Sequence, residues 1–456
     1  MELNNRHLLI IGFGRTGEAV CRFALGRGAR VTVSEKRPRR EVGQTAEEWE
    51  ARGVRFQTGG HDPAVFMSAD MIVPSPGVVP IRPLTAAQKR GIPVLSEIEL
   101  AFRFLRGKIV GVTGSNGKST VSTLIHRILL KDGRPAFLAG NIGTPLISLT
   151  GDSRAEHIYV TELSSFQLAY TETFRPSVAV FLNITPDHLD WHGSFEDYFS
   201  AKKKIFSRMG EAQVAVLNRD DARVWELREA GPFRILGFSQ NQRVDAGCYL
   251  AGKAIMLTER EHEEPLMDVR HLLLPGRHNL DNIMASALAA FSQGVTAASI
   301  RDGIRGFTGL EHRLEKVRAI QGVEFYNDSK ATNVDASLKS LESFSRRIVL
   351  ILGGRDKGGD FARLRESVES RVKSLVLLGE AAPKIARALE NTVPQQTAAD
   401  MRDAVRKAFV EASPGEIVLL APACTSFDMF RSFEHRGDVF KQEVRDLDRD
   451  QAKEET

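Results

Sequence analysis

His7–Ile11 is a short unbroken apolar run that leads directly into Gly12-Phe-Gly14-Arg-Thr-Gly17, after which residues 18–27 carry apolar positions at helical spacing. A second apolar run occupies residues 29–34. Strand, glycine turn, helix and strand in that order form the repeating unit of a parallel sheet. Further runs at 71–73 and 93–95 continue it and predict a first α/β domain over residues 1–106. At 108–113 the pattern restarts, with another apolar strand, another glycine-rich turn and helical spacing over 120–130. Strands are expected at 157–161, 177–182, 214–218 and 233–238, which places a second domain over 107–309. A third set of apolar runs at 323–326, 347–352, 374–378 and 416–420 predicts a third α/β domain over 310–456, ending in a charged helical tail.

Composition agrees with three packed cores. At about 150 residues per domain, 456 residues suggest three domains. A hydrophobic share of 42% and a charged share of 26% exclude a largely disordered chain. Lys+Arg 62 against Asp+Glu 58 gives a net charge of +4, too weak an excess to mark a nucleic-acid-binding surface, although anionic small molecules remain possible partners. Cys21, Cys248 and Cys424 are far apart and lack CxxC spacing, so neither a disulfide framework nor a zinc site is implied, and a reducing cytoplasm fits. The N-terminal residues lack the apolar core of a signal peptide, and no apolar run approaches about 18 residues. The expectation is a cytoplasmic monomer that does not enter the membrane.

Candidate chemistry sits at the ends of the expected strands. Gly12-x-Gly14-x-x-Gly17 with Glu35 closing the next strand satisfies the dinucleotide fingerprint of a Rossmann-like domain, and taken alone it points to NAD. Its physical content is narrower. Glycines let the backbone approach a pyrophosphate and the helix start offers amides, so any diphosphate, or no ligand beyond a tight turn, is compatible. Gly111-Val-Thr-Gly114-Ser115-Asn116-Gly117-Lys118-Ser119-Thr120 departs from the strict phosphate-loop spacing, with Val112 at the first glycine position. It still supplies backbone amides, a lysine for the β- and γ-phosphates and a hydroxyl for Mg2+, and so predicts ATP or GTP binding in a P-loop ATPase-like central domain.

Glu162, just past a strand, is placed to share Mg2+ with Ser119 or to serve as an ordinary helix-start charge. Asp187-His188-Leu-Asp190 follows another strand. Lys202-Lys203-Lys204 reads as a solvated basic face. Polar clusters also occur at Gly276-Arg-His278-Asn279-x-x-Asn282, His312-Arg313, residues 327–333, Gly353-Gly-Arg-Asp-Lys357 and Ser426-Phe-Asp428. Loops at strand ends are where sites are built.

Together the GSNGKST loop, Glu162-Leu-Ser-Ser-Phe-Gln-Leu, Asn-Ile-Thr-Pro-Asp187-His188, His278-Asn-x-x-Asn282 and Leu-Glu-His312-Arg313 resemble the Mur ligases of peptidoglycan synthesis, over essentially the whole chain. Asn327-Asp328-Ser329-Lys330-Ala-Thr332-Asn333, Ser75-Pro-Gly77 and Ser96-Glu-Ile-Glu-Leu resemble the members that add D-glutamate. The resemblance implies three consecutive domains, with a Rossmann-like third. It also implies ATP-dependent amide synthesis through an acyl phosphate on UDP-N-acetylmuramoyl-L-alanine, which D-glutamate then attacks. Residues 114–120 and Lys118 would hold ATP, with Asn282 at the adenine, Arg313 at the phosphates and Asp328 at the ribose. Two Mg2+ ions would be held by Ser119, Glu162, His188 and a carbamylated Lys202, which reverses the plain reading of the lysine run. Catalysis would rest on Lys118, His188 and Lys202.

Gly14, Arg15, Thr16, Gly17, Ser34, Glu35, Ser75, Gly77 and Asn141 would bind the UDP-linked substrate. Some members carry Asp-Thr where this chain has Ser34-Glu35-Lys36. Lys330, Thr332, Lys357, Ser426 and Phe433 would receive glutamate. Three rival readings are an NAD-dependent dehydrogenase, an idle nucleotide sensor and a folylpolyglutamate synthetase-like ligase. The phosphate loop with Glu162 and His188 opposes the first. The joint presence of Lys118, Glu162, His188, Lys202, Asp328 and Lys357 opposes the second, and the UDP-type first domain the third.

Overall fold

Four parallel strands, β1 (His7–Ile11), β2 (Arg30–Glu35), β3 (Arg55–Thr58) and β4 (Met71–Pro74), form the first sheet in the order β3-β2-β1-β4. The structure is a computed structural model and describes residues 1–259, 262–274, 276–356 and 358–454, side chains of 448–454 excepted. Ile11 lies opposite both Ser34 and Pro74, so the turns that follow these strands cluster at one edge. The strand expected at 93–95 is only a single bridge from Val94 to Ile72. Pro93 has no N–H to give to a ladder, which limits pairing there. The edge strand β3, Arg-Phe-Gln-Thr, is half-buried and too polar to read as a strand from its sequence.

The second sheet has nine strands: β5 (Lys108–Thr113), β6 (Ala136–Gly140), β7 (Ile158–Glu162), β8 (Val178–Phe181), β9 (Val214–Asn218), β10 (Arg234–Ser239), β11 (Ala246–Ala251), β12 (Ala254–Glu259) and β13 (His262–Asp268). Their order is β13-β12-β11-β10-β9-β8-β5-β7-β6. β5 sits between β8 and β7, and the residues after all three strands meet at its C-terminal end, where open α/β sheets hold ligands. β11, β12 and β13 pair antiparallel, an extension that the apolar pattern did not show because β13 opens with His262, Glu263 and Glu264 and is then interrupted by Pro265. Both sheets belong to one compact unit, residues 1–271 and 281–305. A shared apolar core that includes Leu8, Ile98, Leu146, Tyr159 and Phe181 joins them.

Residues 272–280 and 306–456 form a second unit. Its sheet comprises β14 (Glu315–Ile320), β15 (Val323–Asn327), β16 (Ile348–Gly353), β17 (Val372–Leu378), β18 (Gln395–Thr397) and β19 (Ile417–Leu420), in the order β14-β15-β19-β16-β17-β18. All pairs are parallel except β14 with β15. β16 is buried at every position, as its uninterrupted apolar sequence requires of a central parallel strand. The charged tail continues the helix Phe433–Glu454. Among the described residues no helix is long and apolar enough to cross a membrane.

Candidate active site

The phosphate-type loop joins β5 to the helix Lys118–Lys131. Gly117 has φ +85°, and a Cβ there would stand 2.3 Å from Asn282 Oδ1, so only glycine fits. Asn183, at the end of β8, fixes the loop from outside: its Oδ1 accepts the Asn116 amide at 2.8 Å and its Nδ2 donates to the Asn116 carbonyl at 3.2 Å. Ser115 Oγ donates to the Thr185 carbonyl at 2.9 Å and lies 3.0 Å from the Tyr198 hydroxyl. Lys118 Nζ bends back onto the carbonyls of Gly114 and Ser115, at 2.8 and 2.9 Å. Ser119 and Thr120 are buried at the start of the helix.

Lys202 is the residue that the sequence pattern alone misplaced. It is 1% exposed, whereas Lys203 and Lys204 face solvent. Helix geometry explains the split. Tyr198 and Lys202 are four residues apart on the helix Phe195–Lys203 and share its inward face, from which the next position turns away. Lys202 Nζ donates to the Gly114 carbonyl at 2.8 Å and lies 4.8 Å from the Tyr198 ring centre. Two lysine nitrogens therefore converge on one carbonyl oxygen. Burial, and then the charge of Lys118, hold the Lys202 ammonium well below the usual lysine range, with Asp187 and Glu162 opposing.

Glu162 ends β7 and lies opposite Val112 of β5. Its Oε1 accepts from Asn141 Nδ2 at 2.9 Å, and its buried Oε2 has no hydrogen-bond partner. An orphaned carboxylate oxygen beside a phosphate-type loop fits a hard cation, and the nearby donor set of carboxylate and hydroxyl suits magnesium completed by water and phosphates. Among the described residues no group of three or more His, Cys, Asp and Glu side chains is placed to hold a metal unaided.

His188 has φ +52° and stands beside Phe166, with ring centres 4.7 Å apart. Its imidazole is shifted down, by burial first; Asp187 opposes the shift, and Lys118 and Lys202 reinforce it. His192, which the sequence reading passed over, stacks flat on Phe166 and reaches Ser165 Oγ at 2.9 Å. Burial, His188 and Lys202 push it down to about 4.

Asn141 also faces a cavity of about 250 Å³ whose wall includes Gly14, Arg15, Thr16, Ser75 and Gln167. Five of the residues expected to bind a UDP-linked substrate are thus gathered on one surface. Gly77 lines an adjoining narrow cleft with Glu97 and Trp191. The remaining three, Gly17, Ser34 and Glu35, do not line the cavity. Gly17 packs so closely that a Cβ would stand 2.4 Å from the Gly12 carbonyl. Ser34 Oγ lies between Gln57 and His61, at 3.0 and 2.8 Å. Glu35 accepts the Phe13 amide at 2.8 Å and pairs with Arg37 at 3.0 Å. Burial raises the Glu35 carboxyl, but the bonds from Arg37 and Phe13 outweigh it and hold the group down at about 2.

In the second unit, Asp328 is buried at the end of β15 and accepts from Ser340 Oγ. Burial pushes it up to about 6, against the lowering effects of that bond and of Arg313. Lys330 Nζ lies 3.7 Å from the Phe433 ring centre, so two residues expected in one pocket do meet. Thr332 follows in the same loop, its amide bonded to the Lys330 carbonyl at 2.8 Å. Ser426 is buried in the loop after β19. Arg436, absent from the sequence reading, ties these loops together. It is 1% exposed and donates to Ser329 Oγ at 2.9 Å, the Ser329 carbonyl at 2.8 Å and the Cys424 carbonyl at 3.1 Å. Lys357 lies outside the described residues. The signals that could have found the missed residues are positional: Asn183 closes a central strand, and Tyr198 stands one helical turn before Lys202.

Residues 6–96 match the Mur ligase MurD-like N-terminal domain, 112–290 the Mur ligase middle domain and 312–424 the Mur ligase glutamate ligase domain. The chain is 44% identical over 447 residues to the UDP-N-acetylmuramoylalanine--D-glutamate ligase of Acidobacterium capsulatum, covering 97% of each. To the protein of the same name from Koribacter versatilis it is 41% identical over 448 residues, covering 98% of this chain and 99% of the other. UDP-N-acetylmuramate-alanine ligase MurC from Thermotoga maritima superposes with a TM-score of 0.60 at 16% identity, covering 97% of this chain and 100% of that one. MurF ligase from the same organism, solved in complex with ADP, gives 0.59 at 18% identity, over 98% and 96%. At such identities these two structures share the fold.

Proposed function

This chain belongs to the Mur ligase family, and from that premise we propose that it joins D-glutamate to UDP-N-acetylmuramoyl-L-alanine in peptidoglycan precursor synthesis, with conversion of ATP to ADP and phosphate. The observation that carries this reading is the Asn141–Glu162 hydrogen bond of 2.9 Å. It joins the wall of the 250 Å³ cavity to the strand beside the phosphate loop. A carboxylate held at the cavity's inner end would meet a γ-phosphate held on the loop.

In this reading the Gly14–Thr16 turn and Arg15 hold the diphosphate, and Asn141 orients the muramoyl part. The acceptor's carboxylate oxygen attacks the γ-phosphorus as the bond to ADP breaks. The glutamate nitrogen then attacks the acyl carbon, the carbon–oxygen bond breaks, phosphate leaves and the nitrogen loses a proton. Lys118 exchanges its two carbonyl partners for phosphate oxygens, a charge-assisted contact that strengthens as the phosphoryl group transfers. Magnesium, bound through Ser119, Glu162, His188 and Lys202, would neutralise the phosphate charge.

Lys202 as an ammonium would repel such ions. A buried amine whose charge is disfavoured is nucleophilic toward carbon dioxide: an N–C bond forms, one proton leaves, and a cation becomes a carboxylate-like carbamate. Asp328 and Arg313 would serve the nucleotide, and Lys330, Thr332, Ser426 and Phe433, with Lys357, the amino acid. The enzyme works on small molecules in the cytoplasm as a monomer. Phosphate release measured with ATP, UDP-N-acetylmuramoyl-L-alanine and a panel of amino acids tests the reading. It should require both acceptor and D-glutamate; comparable release without the acceptor contradicts it.

A further inference from the structure

The helix Glu97–Phe102, which follows the first sheet, carries two buried glutamates two positions apart. A buried carboxylate is costly unless its oxygens are hydrogen-bonded. Glu99, 0% exposed, accepts the backbone amides of Glu172 at 2.9 Å, Thr173 at 3.0 Å and Phe174 at 2.9 Å, together with Thr173 Oγ1 at 2.6 Å and Arg103 Nε at 2.7 Å. Three successive amides closing on one carboxylate form an anion nest supplied by the second sheet's connections. Glu97 accepts the Ile147 amide at 2.6 Å, at the start of the short turn Leu146–Leu149.

Both targets end segments that line the cavity. Glu172 to Phe174 follow the helix Ser165–Ala169, which carries Gln167, and Ile147 follows the loop that carries Asn141 and Pro145. Gly14, Arg15 and Thr16 line the same cavity, and the Arg15 guanidinium donates to the carbonyl of Gly143 in that loop. The grip is extended by the Ser96 amide on the Tyr170 carbonyl at 2.9 Å and by Trp191 Nε1 on the Val78 carbonyl at 2.8 Å.

We infer that Glu97 and Glu99 are positioning residues for the UDP-linked acceptor: by anchoring residues 146–147 and 172–174 they fix where Asn141 and Gln167 stand relative to the Gly14–Thr16 turn in the cavity they share. The inference rests on the reading of this cavity as the acceptor site. Glu99 works as a carboxylate, because four donors converge on it besides Arg103. Glu97 works as an acceptor of backbone N–H, a task an amide oxygen also performs.

Steady-state kinetics with acceptor and ATP varied separately, alongside hydrogen exchange at residues 172–174, test this. Glu99→Gln places N–H donors among donors, so the KM for acceptor should rise by about tenfold or more while kcat and the KM for ATP stay within about threefold. Exchange at 172–174 should quicken. Arg103→Ala, which leaves the amide nest intact, should stay within about threefold of wild type throughout. Glu97→Ala should raise the acceptor KM by about fivefold, and Glu97→Gln should recover most of that loss. The Glu97 pair decides alone if Glu99→Gln does not fold. An unchanged acceptor KM, or kcat and both KM values worsening together, would overturn the inference. Acceptor-independent turnover by the wild type would overturn the functional reading as well; acceptor-dependent wild type with unchanged variants would overturn the positioning role only.

Discussion

At the first glycine turn, after β1, Gly12 carries φ +80° and Gly17 packs against the Gly12 carbonyl. At the second, after β5, Gly114 and Gly117 have φ +147° and +85°. Both turns open a helix and aim backbone amides at the edge of a parallel sheet, yet their charges are arranged in opposite ways. Around the first, Glu35 holds the Phe13 amide and is neutralised by Arg37, so the turn is a rigid, locally balanced cradle. Around the second, Lys118 and Lys202 converge on the Gly114 carbonyl, and Glu162 keeps an oxygen unpartnered. In the proposed reaction the first would hold a ligand that does not change, and the second would answer charge that moves. Glycine spacing sets the backbone; the side chains delivered by neighbouring strands decide between binding and chemistry.

Lys118→Ala should break the comparison most strongly, lowering kcat by about two to three orders of magnitude while UDP affinity, read by calorimetry, stays unchanged. Next comes Lys202→Ala, with kcat down about a hundredfold and partly restored by added short carboxylates, which would take the place of the proposed carbamate. Equal loss in Lys203→Ala would reduce the run to a basic face; that variant should match wild type.

Asp328→Asn sharpens the contrast within the second unit. The Asp328 carboxyl lies at about 6, above the unfolded value of about 3.9, so its burial costs stability that is absent below that value and grows as pH rises through 6. The variant should raise the KM for ATP about tenfold yet be about 2 kcal/mol more stable above pH 6, a gain that vanishes near pH 4 in thermal melts. Glu35 runs the other way. Its folded value of about 2 contributes stability present above the unfolded value of about 4.3 and lost as pH falls toward 2. After allowance for solvent screening the loss is about 1 kcal/mol, and Glu35→Gln should flatten that acid slope, with an acceptor KM only a few-fold higher.

The sequence carried most of the sheet architecture because buried parallel strands such as β5 and β16 are continuous apolar runs. The antiparallel strand β13 was hidden because it opens with His262, Glu263 and Glu264, followed by Pro265, and shows no apolar alternation there. The glycine turns and Glu162 were legible as residue types at strand ends. Lys202 was not legible from charge pattern: three consecutive lysines look alike until the helix Phe195–Lys203 turns one of them inward. Glu97 and Glu99 stand out in the sequence only as part of a motif, since the amides they accept lie some 50 and 75 residues further on, a distance no local pattern spans. Arg436 was missed for the same reason: its partners, Ser329 and Cys424, come from two other loops.

In the proposed reaction the acceptor's carboxylate takes the γ-phosphate before the amide forms, and one isotope measurement addresses this order directly. UDP-N-acetylmuramoyl-L-alanine labelled with 18O in its terminal carboxylate would be turned over with ATP and D-glutamate, and the released phosphate analysed by mass. Because the oxygen that attacks phosphorus leaves with it when nitrogen displaces the phosphate, one labelled oxygen should appear in each phosphate formed from fully labelled acceptor. Phosphate free of label, with amide product formed, would contradict the acyl phosphate and the placement of the acceptor beside Lys118.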